Sequence, residues 1–358
     1  MLYLGFLHPS ASSTSVSNAM RGLTSPLWPI HLKPLPDELL SSWLVRIAHG
    51  HGLKVQTFCN LVFGGRRQVW NRDIDRLAPA WLLDELIDRT GTTREVAYGT
   101  TLLAYEDWLY EKMRISGASR WILTLQMYHR KRTGFGLQYC PRCLGQDRIP
   151  YFRKRWRVAF YLICTKHRVR LLDRCPRCDS VVAFHRIELG KPNVFQVESL
   201  AVCHMCGFDL SNAKAERVGA SGDQATNLLM RLCQVLETTG STENQEAGAD
   251  HLVVLHQLCK LMYSPRKQIH LREFVAAQLG IVPSQIVLGK TPFESRGLVE
   301  RTEILMMALW MKVNLRVRLH DAWRGRALRY NHMLKDFEDP PEWYVQLTEK
   351  FSNWRWRL

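Results

Sequence analysis

Four short pairs of metal-type ligands, each with a two-residue gap, constrain this chain more than anything else in it: Cys140-Pro-Arg-Cys143, Cys164-Thr-Lys-His167, Cys175-Pro-Arg-Cys178 and Cys203-His-Met-Cys206. A two-residue gap lets both side chains of such a knuckle turn toward one point, and two knuckles complete a tetrahedron about zinc. Sequential pairing gives one set of Cys140, Cys143, Cys164 and His167 and a second of Cys175, Cys178, Cys203 and Cys206. Interleaved pairing stays open, and His204, between two ligands, can in principle replace one. A thioredoxin-like redox pair needs only one CxxC on a βαβ unit, and iron–sulfur ligation prefers other spacings. The reading is therefore two structural Zn2+ per chain. Closed tetrahedral sites of this kind supply folding energy and a rigid scaffold, not an open Lewis acid.

Ten cysteines in 358 residues are too sparse for a small disulfide scaffold. No N-terminal segment joins a basic region to an apolar stretch and a small-residue cleavage site, and nowhere do 18 apolar residues run together. The expectation is a cytoplasmic protein whose paired cysteines hold metal. With 46% hydrophobic residues the chain can fill two or three ordinary cores. Its net charge is +16, and the stretch from Arg120 to Gly190 carries 16 Lys+Arg against 4 Asp+Glu, a local balance of +12. That surplus attracts polyanions.

Residues 1–32, serine-rich and without periodicity, read as a loose leader, and Met20 is a candidate start. From Asp37 to His49, Leu39, Leu40, Trp43, Leu44 and Ile47 fall at helical spacing. Gly50 and Gly52 break that helix, and Lys54 to Val62 forms a second one. Two short helices across a glycine-containing turn resemble a helix-turn-helix, although any αα-hairpin gives the same pattern. Helices are predicted over Pro79 to Thr90 and Thr93 to about Met113, completing an N-terminal helical domain at 33–115. Residues 116–215 form the tandem zinc-finger module, where helical periodicity fades. Residues 216–358 form a C-terminal helical domain, with helices at Asp223 to Leu236, Asp250 to Met262, Leu271 to Leu279, Leu298 to Leu319 and Pro341 to Phe351. Thr238 to Gly248 reads as a loop. The fold class is mainly α, with a small zinc-bound β/loop module in the middle. Cys59, Cys233 and Cys259 lie in apolar helical contexts and are core residues.

Between the first two knuckles, Pro150-Tyr-Phe-Arg-Lys-Arg-Trp-Arg157 interleaves cations with aromatics. Cations meet phosphates and exposed rings stack on bases. Arg153, Lys154, Arg155 and Arg157, with Arg130, Lys131 and Arg132 upstream, are thus the candidate nucleic-acid contacts, while Phe152, Trp156 and Phe160 suit the core. No catalytic residue is assigned. Gly289-Lys290-Thr291 lacks the leading glycine of a phosphate loop, and no G-x-S-x-G, H-E-x-x-H or G-x-G-x-x-G is present.

These residues resemble the TniQ family, the targeting proteins of Tn-type bacterial transposons, which include the TnsD-like attachment-site binders. The resemblance begins at Pro34-x-Pro36-x-Glu38-x-Leu40-Ser41-x-Trp43-Leu44-x-Arg46-x-Ala48. It continues through Tyr139-Cys140-Pro141-x-Cys143-Leu144, Asp147, Pro150-Tyr151-Phe152-Arg153, Trp156-Arg157, Cys164-x-x-His167 and Cys175-Pro176-x-Cys178. A looser C-terminal match runs over Phe293-Glu294-x-Arg296, the helix after Arg301, Leu328-Arg329-Tyr330 and Pro341-x-Trp343-Tyr344; Val313-Asn314-Leu315 stand where a Trp-Pro pair is expected. The resemblance implies a non-enzymatic adaptor that recruits an AAA+ ATPase regulator of transposition, and through it a transposase, to a target. The target is DNA bound directly or an RNA-guided CRISPR complex, and the adaptor is commonly a homodimer. The alternative is a zinc-containing, sequence-specific transcription regulator.

Overall fold

Helical spacing of Leu40, Trp43, Leu44 and Ile47 produces helix α1, Leu40–Gly50, but its polar face is buried as completely as its apolar one. Ser41 and Ser42, which would face water on an isolated amphipathic helix, have no exposed surface. The computed structural model that shows this describes residues 26–64, 68–128, 131–191, 199–219, 224–238, 245–286, 288–289 and 291–351.

Helix α2, Val55–Phe63, follows across a turn in which Gly52 has φ 68°, a left-handed value that favours glycine. Helix α3, Ile74–Leu77, packs against α1, and α4, Ala80–Thr90, ends on the left-handed Gly91. The predicted helix over Thr93 to Met113 is corrected: only α5, Arg94–Tyr98, is α-helical. The hydroxyls of Thr100 and Thr101 donate to the carbonyls of Ala97 and Tyr98, taking acceptors that further turns would need, and a 3-10 turn at Leu102–Tyr105 replaces the continuation.

The middle of the chain is built from turns. Strands β1, Met127–Tyr128, and β2, Lys131–Arg132, pair antiparallel, as do β3, Ile163–Cys164, and β4, Val169–Arg170. One knuckle is helical, contrary to the loop expectation: α6, Pro141–Gln146, starts on Pro141, which suits a first-turn position because its missing N–H has no intrahelical partner to lose.

The C-terminal part contains α7, Gln224–Thr238, α8, Gln245–Met262, α9, Leu271–Leu279, α10, Leu298–Val313, α11, Leu315–Arg324, α12, Tyr330–Leu334, and α13, Glu342–Glu349. Two corrections apply. Gln245–Gly248 belong to α8, not to the loop, and the single helix expected from Leu298 to Leu319 is two helices that part at Asn314. Asn314 has φ −131° and ψ 55°, outside helical space, and the Arg318 guanidinium stacks over the Trp310 ring while donating to the Trp310 carbonyl. Helix α10 packs against α7, α8 and α9, and α7 in turn touches β3. No described helix is long and apolar enough to cross a membrane.

The three regions share buried polar contacts. The Asp173 carboxylate accepts from Leu298 N–H at 3.0 Å, so the middle module caps the start of α10. Arg301 of α10 is fully buried and donates to the carbonyl of Ala159 at 2.8 Å and to Gln138 Oε1 at 3.2 Å. Glu294 accepts from Trp121 N–H and faces His256 Nε2 at 2.7 Å. Burial acts to raise the Glu294 carboxyl, but His256 and the nearby N–H groups outweigh it and hold the pKa below the usual value.

Candidate metal centres and the charge around them

The first knuckle lies at the start of α6 and the second on the β3–β4 hairpin, where Arg168 N–H donates to the Cys164 carbonyl at 2.7 Å and closes the turn around His167. The other two knuckles are closed by Asp179 N–H to the Cys175 carbonyl and by Gly207 N–H to the Cys203 carbonyl, with Gly207 at φ 70°. The eight side chains meet in two groups, Cys140/Cys143/Cys164/His167 and Cys175/Cys178/Cys203/Cys206, with the ligand atoms of each group within 4.8 Å of one another.

Their spacing decides what they fit. Tetrahedral zinc, with bonds of about 2.3 Å to sulfur and 2.0–2.1 Å to nitrogen, sets ligand–ligand edges of roughly 3.8 Å for S···S and 3.5 Å for S···N. In the first group Cys143 and Cys164 are 3.7 Å apart, and His167 Nδ1 lies 3.4, 3.3 and 3.5 Å from the sulfurs of Cys140, Cys143 and Cys164. In the second, Cys175–Cys206 is 3.6 Å and Cys178–Cys203 is 3.7 Å. Disulfide sulfurs are about 2.05 Å apart, so these are not disulfides. Each group can hold a metal ion.

Two supporting residues carry no spacing signal. His167 turns Nδ1 toward the sulfurs and Nε2 toward Gln146 Oε1 at 2.7 Å, the outer hydrogen bond that fixes a ligating imidazole. The Ser180 hydroxyl lies 3.2 Å from Cys178 Sγ and 3.3 Å from Cys203 Sγ. Within the first group, hydrogen bonds from Cys140 and Cys143 bring the Cys164 thiol down, whereas contacts with Cys140 and Cys164 raise Cys143. His204 stands outside both groups, and burial followed by Arg186 and Arg132 pushes it down to about 4.

The cations between the knuckles are placed differently from the sequence expectation. Arg157 is fully buried: its guanidinium forks onto Asp73 at 2.6 and 3.2 Å, reaches Asp75 at 3.3 Å and donates to the Leu123 carbonyl at 2.8 Å. Arg153 is buried against Asp147 at 2.8 Å, with its guanidinium 4.3 Å from the Tyr151 ring centroid and 4.9 Å from that of Trp156. Lys154 donates to the Gly99 carbonyl, and Arg155 faces Asp37 and Glu237. Arg132 is buried beside the Phe184 ring, and burial brings its pKa down to about 10 although Asp75 opposes the shift. Of the seven expected nucleic-acid contacts, Arg130 lies outside the described residues, and Lys131 is the one exposed among the rest. The physical reason for this placement is the set of carboxylates at Asp37, Asp73, Asp75 and Asp147, most of them distant in sequence from these cations, with which they pair. Phe152, Trp156 and Phe160 are core residues.

The same run welds the N-terminal helices to the metal module. Glu38 pairs with Arg153 in an antiparallel bridge, and Phe152 N–H donates to Ser42 Oγ at 3.0 Å. Ser42 also donates to Glu38, which takes two hydrogen bonds from Arg46 at 2.7 and 2.6 Å. His49 at the other end of α1 faces Glu188 of the second metal loop at 2.5 Å, and Glu188 also accepts from Val55 N–H at the start of α2.

Exposed charge instead lies on the knuckle loops. Arg142, Lys166 and Arg177 occupy the third position of three of the four knuckles and are all exposed, as are Arg148 and Arg168. On α2, Thr57, Asn60 and Leu61 are exposed, and Leu61 keeps 71% of its surface.

The family model TniQ matches residues 29–171, a stretch that includes the first metal group and ends before Cys175. No curated protein matches the chain.

Proposed function

Because residues 29–171 form a TniQ domain, the mark of transposition-related targeting proteins, we propose that this chain is a non-catalytic targeting adaptor. It links a target, either DNA or an RNA-guided complex, to an AAA+ regulator of transposition. The TniQ match is the observation that carries the reading. Two Zn2+ ions hold the middle of the adaptor, one at Cys140, Cys143, Cys164 and His167 and one at Cys175, Cys178, Cys203 and Cys206. The ligand spacing and the Cys-rich donor sets favour zinc. The metals keep the loops in the shape that α1, α2 and α10 pack against, and their binding energy is folding energy. Phosphates are met by Lys131, Arg142, Arg148, Lys166, Arg168 and Arg177, the cations that the fold leaves exposed.

An adaptor needs separate surfaces for target and ATPase, and α2's exposed Thr57, Asn60 and Leu61 are a surface distinct from the knuckle loops. The test uses the full chain, because cutting after residue 215 would expose Arg301 and its acceptors on Ala159 and Gln138. Capture of the cognate AAA+ ATPase by the intact protein is measured together with transposition frequency and target choice. We expect capture, and we expect Asn60→Arg with Leu61→Glu to alter either capture or targeting at unchanged stability. If the ATPase is not captured and loss of the chain changes neither frequency nor target choice, the adaptor reading fails and the transcription-regulator reading replaces it.

A further inference from the structure

A second cationic feature lies far along the chain from the TniQ match. The segment leading from α8 into α9 and the turn between α11 and α12 meet through a hydrogen bond from His270 N–H to the Ala327 carbonyl at 2.8 Å. Between them is a pocket of about 260 Å3 lined by Lys267, Gln268, His270, Trp323, Arg326 and Arg329, with Leu328 alongside. No carboxylate lines it. The side chains of Lys267 and Arg326 have no hydrogen-bond or ion-pair partner among the described residues, unlike the arginines of the metal module. The Trp323 ring packs against Phe351 and His320, and its Nε1–H is shielded from solvent without an acceptor. Helix α9 begins at the pocket wall with His270 as its N-cap and no side chain capping its first N–H groups, which adds the positive end of the helix dipole. Glu273, in the first turn of α9, is exposed and does not line the pocket.

We propose that this pocket binds a backbone phosphate of nucleic acid. The ligand must be anionic, must accept from cations on two sides, and must be small. The volume is below the roughly 300–1,000 Å3 of sites that enclose a drug-sized molecule, and suits one phosphodiester group with part of its sugar. The turn fixes the cations: Arg326 has φ 56°, in the left-handed region, and is held there by hydrogen bonds from its own N–H to the Trp323 carbonyl and from Ala327 N–H to the Ala322 carbonyl. The proposal concerns residues outside the TniQ match and does not depend on the transposition reading.

The test measures binding of a fluorescent 30-base-pair DNA by full-length protein over a salt series. Lys267→Gln with Arg326→Gln should lower affinity about tenfold and reduce the slope of log affinity against log salt by about 0.9, the loss of one phosphate. Arg72→Gln with Lys112→Gln removes the same charge elsewhere and should leave the slope unchanged. Melting temperatures of all variants should match the parent for the proposal to be read from binding. Equal losses in the control pair, an unchanged slope in the pocket pair, or a parent protein that does not bind DNA would each overturn it. Inorganic phosphate that shifts the Trp323 indole N–H resonance while DNA affinity is insensitive to the pocket pair would also overturn it, in favour of a free-phosphate site.

Discussion

Replacing Arg157 by methionine tests the central claim about the basic run, that it is internal structure. The side chain is fully buried, and the substitution leaves Asp73 and Asp75 facing an apolar group with the Leu123 carbonyl short of a donor. Removing one partner of a buried ion pair costs about 3–5 kcal/mol, because the orphaned charge remains. Total stability is on the order of 5–15 kcal/mol, so the loss is a large fraction of it. Thermal unfolding followed by tryptophan fluorescence should show a melting point lower by roughly 6–15 °C. Asp73→Asn with Asp75→Asn in the same background should restore much of the loss, giving a non-additive cycle. The pH dependence has a definite sign. Burial and then Asp73 already raise Asp75 to about 6, against the pull of Arg157. Without Arg157, Asp75 rises further, and Asp73, which Arg157 holds below its usual value, rises as well; the folded protein takes up protons, and the deficit shrinks as pH falls from 7 toward 5. A deficit below about 1 kcal/mol, or one that grows on acidification, would refute the buried-pair argument.

Gly136→Ala should destabilise by about 3 kcal/mol or more in the same assay, because a Cβ there would lie 2.1 Å from the Thr124 carbonyl oxygen, a backbone atom that cannot move aside cheaply. Native mass spectrometry should find two zinc ions per chain, and Gln146→Ala should lower metal affinity at the first centre about 10–100-fold in chelator competition while leaving the second unchanged, since the Gln146 side chain bonds His167 of the first centre. Arg142→Gln, Lys166→Gln and Arg168→Gln together should weaken DNA binding and flatten its salt dependence with little change in melting temperature, because all three are exposed. An unchanged affinity would remove the knuckle loops from the interface.

What the sequence determined by itself was local. The two-residue gaps of the knuckles are a short-range geometric requirement, and the structure brings the same eight side chains together in two groups. Helix α9, Leu271–Leu279, coincides with its apolar periodicity, and α4 stops at Gly91 for a reason a single residue carries. The aromatic core residues Phe152 and Trp156 were equally legible, since large rings are buried wherever a core is available. Tertiary structure decided the rest. Whether Arg153 and Arg157 face water or the interior depends on Asp147, Asp73 and Asp75, and only the packing of α1 and α3 against the metal module brings Asp73 and Asp75 to Arg157, more than 80 residues apart in sequence. The polar face of α1 reads as solvent-exposed in any helical projection, yet it is buried because Phe152 N–H arrives from elsewhere to bond Ser42 and the Glu188 carboxylate to face His49. The phosphate-sized pocket has the same origin: Lys267 and Arg326 are apart in sequence and become one site only when the two turns join. Periodicity and ligand spacing are properties of neighbouring residues, whereas the partner of a charge is a property of the fold, because a long side chain reaches whichever opposite charge packing puts within a few ångströms of it.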